Sequence, residues 1–340
     1  MELKFEITRS RTRFLDPFKK FETTELDIES RKDPLSGDST RVLSFRARPL
    51  GPIDHQVYIE RSQERPCPFC PENLERMTTR YLPQDLPEGR LSQGGATVFP
   101  NAFPYEAMNA VLVLCPEHYL RPSQFSTEIL ANGLSLAAVA FKRLAKGQTY
   151  ASVNWNYLMP AGAGLVHPHF QLAAGKSPTR FQANLRTRAR AYARAKENGD
   201  IASDYILAER QAGARWLGRL GPASWLTPFA PRAIYDVMAL IPCDKGLLDL
   251  KPGQIEKLAQ GISRVLAFFE SEGVGYFNFT LHTQLKSGAG LPCMLRLVSR
   301  VDIPPMGVDE INYFEKLHDE MITFLPPEEL AQRLRPHWAG

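Results

Sequence analysis

The segment Gly162-Ala163-Gly164-Leu165-Val166-His167-Pro168-His169-Phe170-Gln171 sets two histidines and a glutamine on alternating positions directly after a glycine-rich turn. In an extended strand successive side chains point to opposite faces, so His167, His169 and Gln171 share one face and Pro168 and Phe170 the other. A neutral imidazole can attack phosphorus, and a glutamine amide can donate to a phosphate oxygen without carrying charge. Glycines at 162 and 164 free the backbone to turn several N–H groups toward one point, which suits an anion. The pattern predicts a phosphate-handling site.

Cys67-Pro68-Phe69-Cys70 is a C-x-x-C knuckle, whose two thiolates can grip one Zn²⁺ and leave two tetrahedral corners for distant ligands. His118, at the end of Cys115-Pro116-Glu117-His118, and His167 can fill those corners and close a Cys2His2 structural site. A redox dithiol is the competing reading. Redox pairs stand between a strand and a helix start, whereas Arg65-Pro66 before the knuckle and Pro71-Glu72-Asn73 after it predict a turn. Two unremarkable thiols are the third reading.

These residues need a scaffold, and the chain contains its own repeat. Shifted by 126 residues without a gap, the stretch 99–171 matches 225–297: Phe103 meets Phe229, Val111 meets Val237, Leu114 meets Leu240, Pro116 meets Pro242 and Ile129 meets Ile255. Gly162-Ala163-Gly164-Leu165 meets the identical Gly288-Ala289-Gly290-Leu291. Each copy reads as an apolar strand (Val111 to Leu114; Val237 to Ile241), a helix (Ser126 to Leu144; Pro252 to Glu270), an alternating strand and the glycine turn. The expected fold is α+β: two tandem repeats, each an antiparallel sheet with a packed helix, joined in one duplicated unit. Residues 1–175 would form the first, with knuckle and histidines, and 176–340 the degenerate second. Under the same shift His118 faces Asp244, His167 faces Cys293, His169 faces Leu295 and Gln171 faces Leu297. Ser152, Asn154 and Asn156 align with Asn278, Thr280 and His282, which predicts a polar face in both copies. Asn154 and Asn156 are candidates to orient phosphate. Trp155, Phe170, Met108 and Met159 read as core.

The totals suit an ordinary globular enzyme: 340 residues, 44% hydrophobic, 23% charged, with a formal charge of +4. The charged N-terminus, the absence of a membrane-length apolar run and five unevenly spread cysteines argue for the cytoplasm and against a secreted disulfide framework. Lys176 to Lys196 holds seven basic residues and no acidic one, read as a solvated helix face ahead of a phosphate lid. Nucleic-acid and membrane partners are not expected.

The motifs together resemble the galactose-1-phosphate uridylyltransferase family of the histidine-triad superfamily. Asp33-Pro34-Leu35-Ser36-Gly37, Ser44 to Pro49, Cys67 to Asn73, Val98 to Phe103, Pro116-Glu117-His118, His167 to Gln171, and Tyr313-Phe314-Glu315 with Leu325 to Arg335 are similar to its successive segments. The resemblance implies one structural Zn²⁺ on Cys67, Cys70, His118 and His167, with His169 as nucleophile and Gln171 holding a phosphate oxygen. It implies phosphate contacts from Arg46 and Arg48, nucleoside contacts from Asn101 and Phe103, a phosphate-cradling turn at Gly162 and Gly164, and a sugar contact from Glu315. The family's second metal is not expected, since residues 172–196 lack any acidic group and only His282 matches its other ligands. The implied reaction moves a nucleoside monophosphate from a nucleoside diphosphate sugar to a sugar 1-phosphate or phosphate through a nucleotidyl-histidine, in a homodimer. Glutamine at 171, where hydrolytic relatives place a histidine, favours transfer. A phosphorylase of dinucleoside polyphosphates or nucleoside diphosphate sugars is the enzyme alternative, and a nucleotide sensor or scaffold the non-enzyme one.

Overall fold

The computed structural model describes residues 3–47, 54–197, 199–242, 244, 246–288, 290–301 and 311–338. An N-terminal ribbon of β1 (Glu6–Asp16) and β2 (Glu22–Lys32) leads through β3 (Ser39–Val42) to two short helices, α1 (Gln56–Gln63) and α2 (Pro71–Met77). The first copy follows: β4 (Leu91–Gln93), β5 (Ala96–Pro100), β6 (Met108–Val113), α3 (Thr127–Leu144), β7 (Tyr150–Tyr157) and β8 (His169–Gly175). Helices α4 (Arg180–Ala195) and α5 (Ile201–Ala212) lead to the second: β9 (Trp216–Leu220), β10 (Ala223–Leu226), β11 (Asp236–Ile241), α6 (Pro252–Ser271), β12 (Tyr276–Gln284) and β13 (Cys293–Arg300). The chain ends in α7 (Tyr313–His318), β14 (Met321–Thr323) and α8 (Pro327–Leu334). Among the described residues, no helix is long and apolar enough to cross a membrane.

Ten strands form one antiparallel sheet in the order β4-β5-β6-β8-β7-β12-β13-β11-β10-β9. The order reads the same from either end once each strand is replaced by its repeat. Its centre is the β7–β12 pair, where Asn154 stands opposite Thr280, Asn156 opposite Asn278 and Ser152 opposite His282. Asn154 and Thr280 are 126 apart, and the 126-residue shift exchanges the two flanking pairs. A pseudo-two-fold axis therefore passes through Asn154–Thr280, the mark of a duplicated α+β unit.

The ungapped shift fails beyond the central strands. Asn154 pairs with Gln171 between β7 and β8, but Thr280 pairs with Arg296 between β12 and β13, not with Leu297. A one-residue slip sends every side chain to the opposite face. Met294 and Arg296, not Leu295 and Leu297, thus occupy the face that carries His169 and Gln171. The two leucines are fully buried in the main apolar core. The observed register puts Leu295 and Leu297 in that core, each contributing roughly 1.5–3 kcal/mol when removed from water, and keeps the Arg296 guanidinium out of it.

That core lies on the other side of the sheet, under α3 and α6, and holds Trp155, Phe170, Leu172, Phe277 and Phe279. Both helices are read closely from the sequence: Ser126 caps α3 through the Ile129 amide, and Pro252 opens α6. Met108 and the two aromatics are core as expected, but Met159 is exposed in the turn after β7.

On the site-bearing face, the knuckle covers β5, β6 and β8, with Phe69, Phe99, Val111 and Val113 in one cluster. Helices α4 and α5 cover the far half through Leu185, Tyr192, Ile201 and Tyr205. The Asp33 carboxylate accepts from the Leu35 and Ser36 amides and from the Tyr205 hydroxyl, pinning the 33–37 turn under α5. The basic face of α4 is not merely solvated. Arg186 reaches the Tyr150 hydroxyl, Arg188 donates to the Pro34 carbonyl, and Arg180 and Lys196 pair with Asp319 and Asp204.

Gly261 lets α6 lie against the Trp225 indole, where an added Cβ would come within 2.2 Å of Cζ2. The ring is fully buried beside Trp338 and has no room to retreat. Gly261→Ala should therefore cost about 1–3 kcal/mol, read as a lower melting temperature in a protein that still folds. An unchanged melting temperature would show that the contact is looser than described.

Candidate active site

The four predicted metal donors converge although they come from three separated segments. The Sγ atoms of Cys67 and Cys70 and one ring nitrogen each of His118 and His167 lie within 4.8 Å of one another. With metal–sulfur and metal–nitrogen bonds of about 2.3 and 2.0–2.1 Å, a tetrahedral ion sets S···N separations near 3.6 Å. Observed values are 3.4 Å for Cys70–His118, 3.7 Å for Cys70–His167 and 3.9 Å for Cys67–His167, all through Nδ1. The other ring nitrogens are occupied: Nε2 of His167 donates to the Cys115 carbonyl at 2.8 Å, and Nε2 of His118 meets Ser62 Oγ at 2.8 Å. Such outer bonds leave Nδ1 unprotonated and aimed inward.

The titration of these groups fits a cation as well. Burial and the neighbouring Cys67 push the Cys70 thiol up to about 12, and burial brings His167 down to about 4. Burial also lowers His118. Two neutral imidazoles facing the raised Cys70 thiol and the sulfur of Cys67 form a donor set that a divalent ion would convert to a thiolate-imidazole site. This group can hold a metal ion. The knuckle is a turn as expected, with the Cys70 amide donating to the Cys67 carbonyl, but the residues after it are helical. Cys70 directly precedes α2, with Pro71 at its first position, where proline's fixed φ favours a helix. Arg90 holds the end of α2 by donating to the carbonyls of Leu74, Glu75 and Thr78.

His169 opens β8 and is tied to the metal group through the backbone. Its Nδ1 donates to the His167 carbonyl at 2.7 Å, so Nε2 carries the free lone pair. Phe69, inside the knuckle, stands edge-on to the His169 ring with centroids 5.2 Å apart. Burial lowers the imidazole pKa, against the smaller opposing effect of the bond to the His167 carbonyl. The ring is therefore held neutral, with Nε2 available.

The glycine turn is tighter than the sequence implied. Gly162 has φ +90°, and the amides of Ala161, Gly162 and Ala163 all donate back to the carbonyls of Leu158 or Met159. Only from Gly164 onward are amides left for a ligand. A Cβ on Gly164 would meet nothing within 4 Å, so its surface is open.

Next to these groups runs a polar strip across the pseudo-two-fold. Gln171, half-buried, lies opposite Asn154, whose Nδ2 donates to Ser152 Oγ at 2.9 Å and to the Gln171 carbonyl at 3.2 Å. Thr280 Oγ1 donates to Asn154 Oδ1, and Asn278 Nδ2 to Asn156 Oδ1, each at 2.8 Å. The strip leads to a cavity of about 600 Å³ lined by Asn278, Thr280, His282, Arg296, Arg300 and Glu315, among others. Glu315 lines the same cavity, and its carboxylate accepts from the Asn312 amide.

Other expected contacts are placed less directly. Asn101 spends its side chain locally, accepting from the Phe103 amide and donating to Asn109 Oδ1. Phe103 is 82% exposed. Val113 pairs with His169 and Asn109 with Ala173, so the 101–107 loop lies about 14 Å along the strand direction from His169. Arg46 lies over the Phe324 ring at 4.9 Å, on the edge of the cavity rather than on His169. Arg48 falls outside the described residues. Sequence reasoning missed Ser62, Phe69 as a wall of His169, and Arg300. Phe69 alone carried a signal, since it sits inside the knuckle.

No family model matches the chain. Over 314 residues it is 29% identical to an uncharacterized protein of Archaeoglobus fulgidus, covering 92% of this chain and 93% of that one. Among solved structures it is similar to an ADP-glucose phosphorylase from Arabidopsis thaliana with bound ADP-glucose: TM-score 0.70, 17% identity, 91% of this chain and 98% of that chain. It is also similar to a uridylyltransferase mutant, with TM-score 0.64, 16% identity, and 91% and 97% covered. At these identities the likeness is one of fold. The fold is that of the uridylyltransferases, in agreement with the resemblance read from the motifs.

Two outcomes follow from the geometry. Purified protein should carry about one equivalent of tetrahedrally bound divalent metal by elemental analysis, most of it lost in Cys70→Ala; a folded, metal-free wild type would sink the assignment. Gly164→Ala should leave the unfolding free energy within about 1 kcal/mol of wild type but weaken binding of phosphate-bearing ligands in calorimetry. Equal affinity would place the ligand elsewhere.

Proposed function

We propose that this protein is a divergent member of the galactose-1-phosphate uridylyltransferase family. In this reading it moves a nucleoside monophosphate from a nucleoside diphosphate sugar to a phosphate acceptor. The observation that carries the proposal is the His169 Nδ1 bond to the His167 carbonyl, which leaves a neutral, aimed Nε2 beside a row of neutral donors.

In the first half-reaction Nε2 of His169 attacks the α-phosphorus, the bond to the bridging oxygen breaks, and the sugar 1-phosphate leaves. The product is a nucleotidyl-histidine. An oxygen of the second phosphate then attacks the same phosphorus, and the imidazole leaves. Gln171 and the amides from Gly164 onward would donate to the non-bridging oxygens as charge grows on them. Asn154 and Asn156 would line the path of the distal phosphate. No group positioned as Gln171 is can take a proton from water, which favours a phosphate acceptor over hydrolysis.

In this reading Cys67, Cys70, His118 and His167 hold Zn²⁺, which fixes the carbonyl that orients His169 and takes no part in bond exchange. The cavity beyond Asn278, with Glu315 on its wall, would receive the sugar. Residues 1–175 would be the catalytic half and 176–340 the supporting half. Likeness in fold to an ADP-glucose phosphorylase favours a second version of the same chemistry, with inorganic phosphate as acceptor.

The test is intact-mass spectrometry after brief incubation with uridine, adenosine and guanosine diphosphate sugars, without acceptor. One donor should add the mass of its nucleoside monophosphate, and His169→Ala should add nothing. Acceptor choice is then read by chasing the adduct with hexose 1-phosphate or inorganic phosphate. Absence of any adduct on folded, metal-loaded protein would refute the nucleotidyl-histidine.

A further inference from the structure

The turn that precedes the histidines is strained and is not self-supporting. Leu158 has φ +65°, a left-handed conformation that a bulky side chain rarely adopts and that costs on the order of 1–3 kcal/mol. Gly162, four residues on, is also left-handed. The three amides of Ala161 to Ala163 close the turn on itself, which leaves the carbonyls of Ala161 and Gly162 facing outward and in need of donors.

Those donors come from both copies. Asn278, in the second copy, uses one Nδ2 twice: it donates to the Ala161 carbonyl and to Asn156 Oδ1, each at 2.8 Å. Asn156, in the first, donates to the Gly162 carbonyl at 3.4 Å. Arg300 donates from Nη1 to Asn278 Oδ1 at 3.1 Å. An amide has two protons on nitrogen and an acceptor oxygen, so these bonds saturate the Asn278 nitrogen and fix which way the amide faces. The order Arg300, Asn278, Asn156 and turn is a continuous strut from β13 to the backbone that leads into His167 and His169.

Two comparisons within the molecule argue that the strut is built for this turn. The pseudo-two-fold relates Asn156–Asn278 to His282–Ser152, which stand opposite each other in the same register. There, among the described residues, the His282 Nδ1 is buried without a hydrogen-bond partner and no equivalent bridge forms. The register slip between β12 and β13 is the second. Had the copies kept one register, Arg300 would have turned to the helix side with Met294 and Arg296, and Leu295 and Leu297 to the site-bearing face. The slip is what places its guanidinium on the site-bearing face.

We infer that Asn278 and Arg300 are positioning residues: they hold the 158–162 turn so that the free amides from Gly164 onward face the phosphorus attacked by His169. The function of the second copy is then to brace the catalytic turn of the first. This inference rests on the nucleotidyl-transfer reading for its consequence, but the strut itself can be tested without it.

The experiment compares wild type, Asn278→Asp, Arg300→Ala and Arg300→Lys by hydrogen exchange and by single-turnover labelling of His169. Asn278→Asp removes the donor at nearly constant volume, and Arg300→Ala acts from the end of the strut should the first variant fold poorly. Exchange at the Ala161 to Ala163 amides should rise roughly tenfold in Asn278→Asp and less in Arg300→Ala, with Val153 to Trp155 unchanged. The labelling rate at saturating donor should fall about 10- to 100-fold, while the donor's half-saturating concentration changes little. Arg300→Lys, which keeps a cationic donor, should recover part of both. Unchanged exchange at 161–163 overturns the strut. Faster exchange with an unchanged labelling rate overturns its role in chemistry. A wild type that no donor labels refutes the transfer reading instead, and exchange still decides whether Asn278 and Arg300 hold the turn.

Discussion

His167 is bonded in three directions, and the rest of the site depends on all three. Nδ1 faces the Cys67 and Cys70 thiols, Nε2 donates to the Cys115 carbonyl, and the backbone carbonyl accepts from His169 Nδ1. The first ties the knuckle to β8, the second ties β8 to the end of β6, and the third selects the tautomer of the neighbouring imidazole. A single residue therefore couples metal occupancy to the aim of His169. Without a cation the same cluster is a costly arrangement, with a half-buried Cys70 thiol raised to about 12 beside the buried Cys67 and an imidazole lowered to about 4. A metal ion bound there would also contribute to folding, because no such constellation exists in an unfolded chain.

Duplication and divergence have separate physical traces. The palindromic strand order and the central Asn154–Thr280 pair preserve the ancestral symmetry. The slip of one residue at β13 breaks it where chemistry would otherwise be repeated. Leu295 and Leu297 fall to the core and Arg296 to the opposite face, where it is buried against Asp236 and Asp38. A buried, doubly paired guanidinium is a rigid object, since removing either partner would leave an uncompensated charge. In the proposed reading the second copy thus became a scaffold without losing its sheet.

Much of this was legible in the chain, and the misses share a cause. The two long helices, the C-x-x-C pair and the alternation of His167, His169 and Gln171 depend on local spacing, which sequence states directly. His118 and His167 instead join that pair from 48 and 97 residues away, as the family resemblance implied. The 126-residue repeat was legible too, but only as far as an ungapped comparison holds. Phe103 matched Phe229 in sequence, yet one ring is exposed and the other fully buried. Apolar matches report composition, not register, and a one-residue slip changes no composition. Ser62 and Arg300 were invisible for the same reason: each acts on a residue distant in sequence through a bond that only the folded sheet creates. The basic run in α4 misled in the milder sense that its cations anchor carbonyls, a hydroxyl and carboxylates rather than facing water alone.

That spending of cations bears on how phosphate is received. Among the described residues, the groups placed beside His169 are amides and a glutamine, all neutral, while Arg186 and Arg188 of α4 and Arg296 of β13 are committed to internal partners. For the proposed chemistry neutrality has a specific advantage. A guanidinium held against the phosphates in a low-dielectric pocket would bind ground state and transition state alike, because the phosphate charge is present in both. Amide dipoles fixed by the turn and by Asn156 gain most where charge grows during attack, and they need no reorganisation if the turn is already braced. Strain at Leu158, the bridging asparagine at 278 and the slipped strand that carries Arg300 then belong to one design. The backbone is held in an unfavourable shape so that its remaining amides are in place before the substrate arrives.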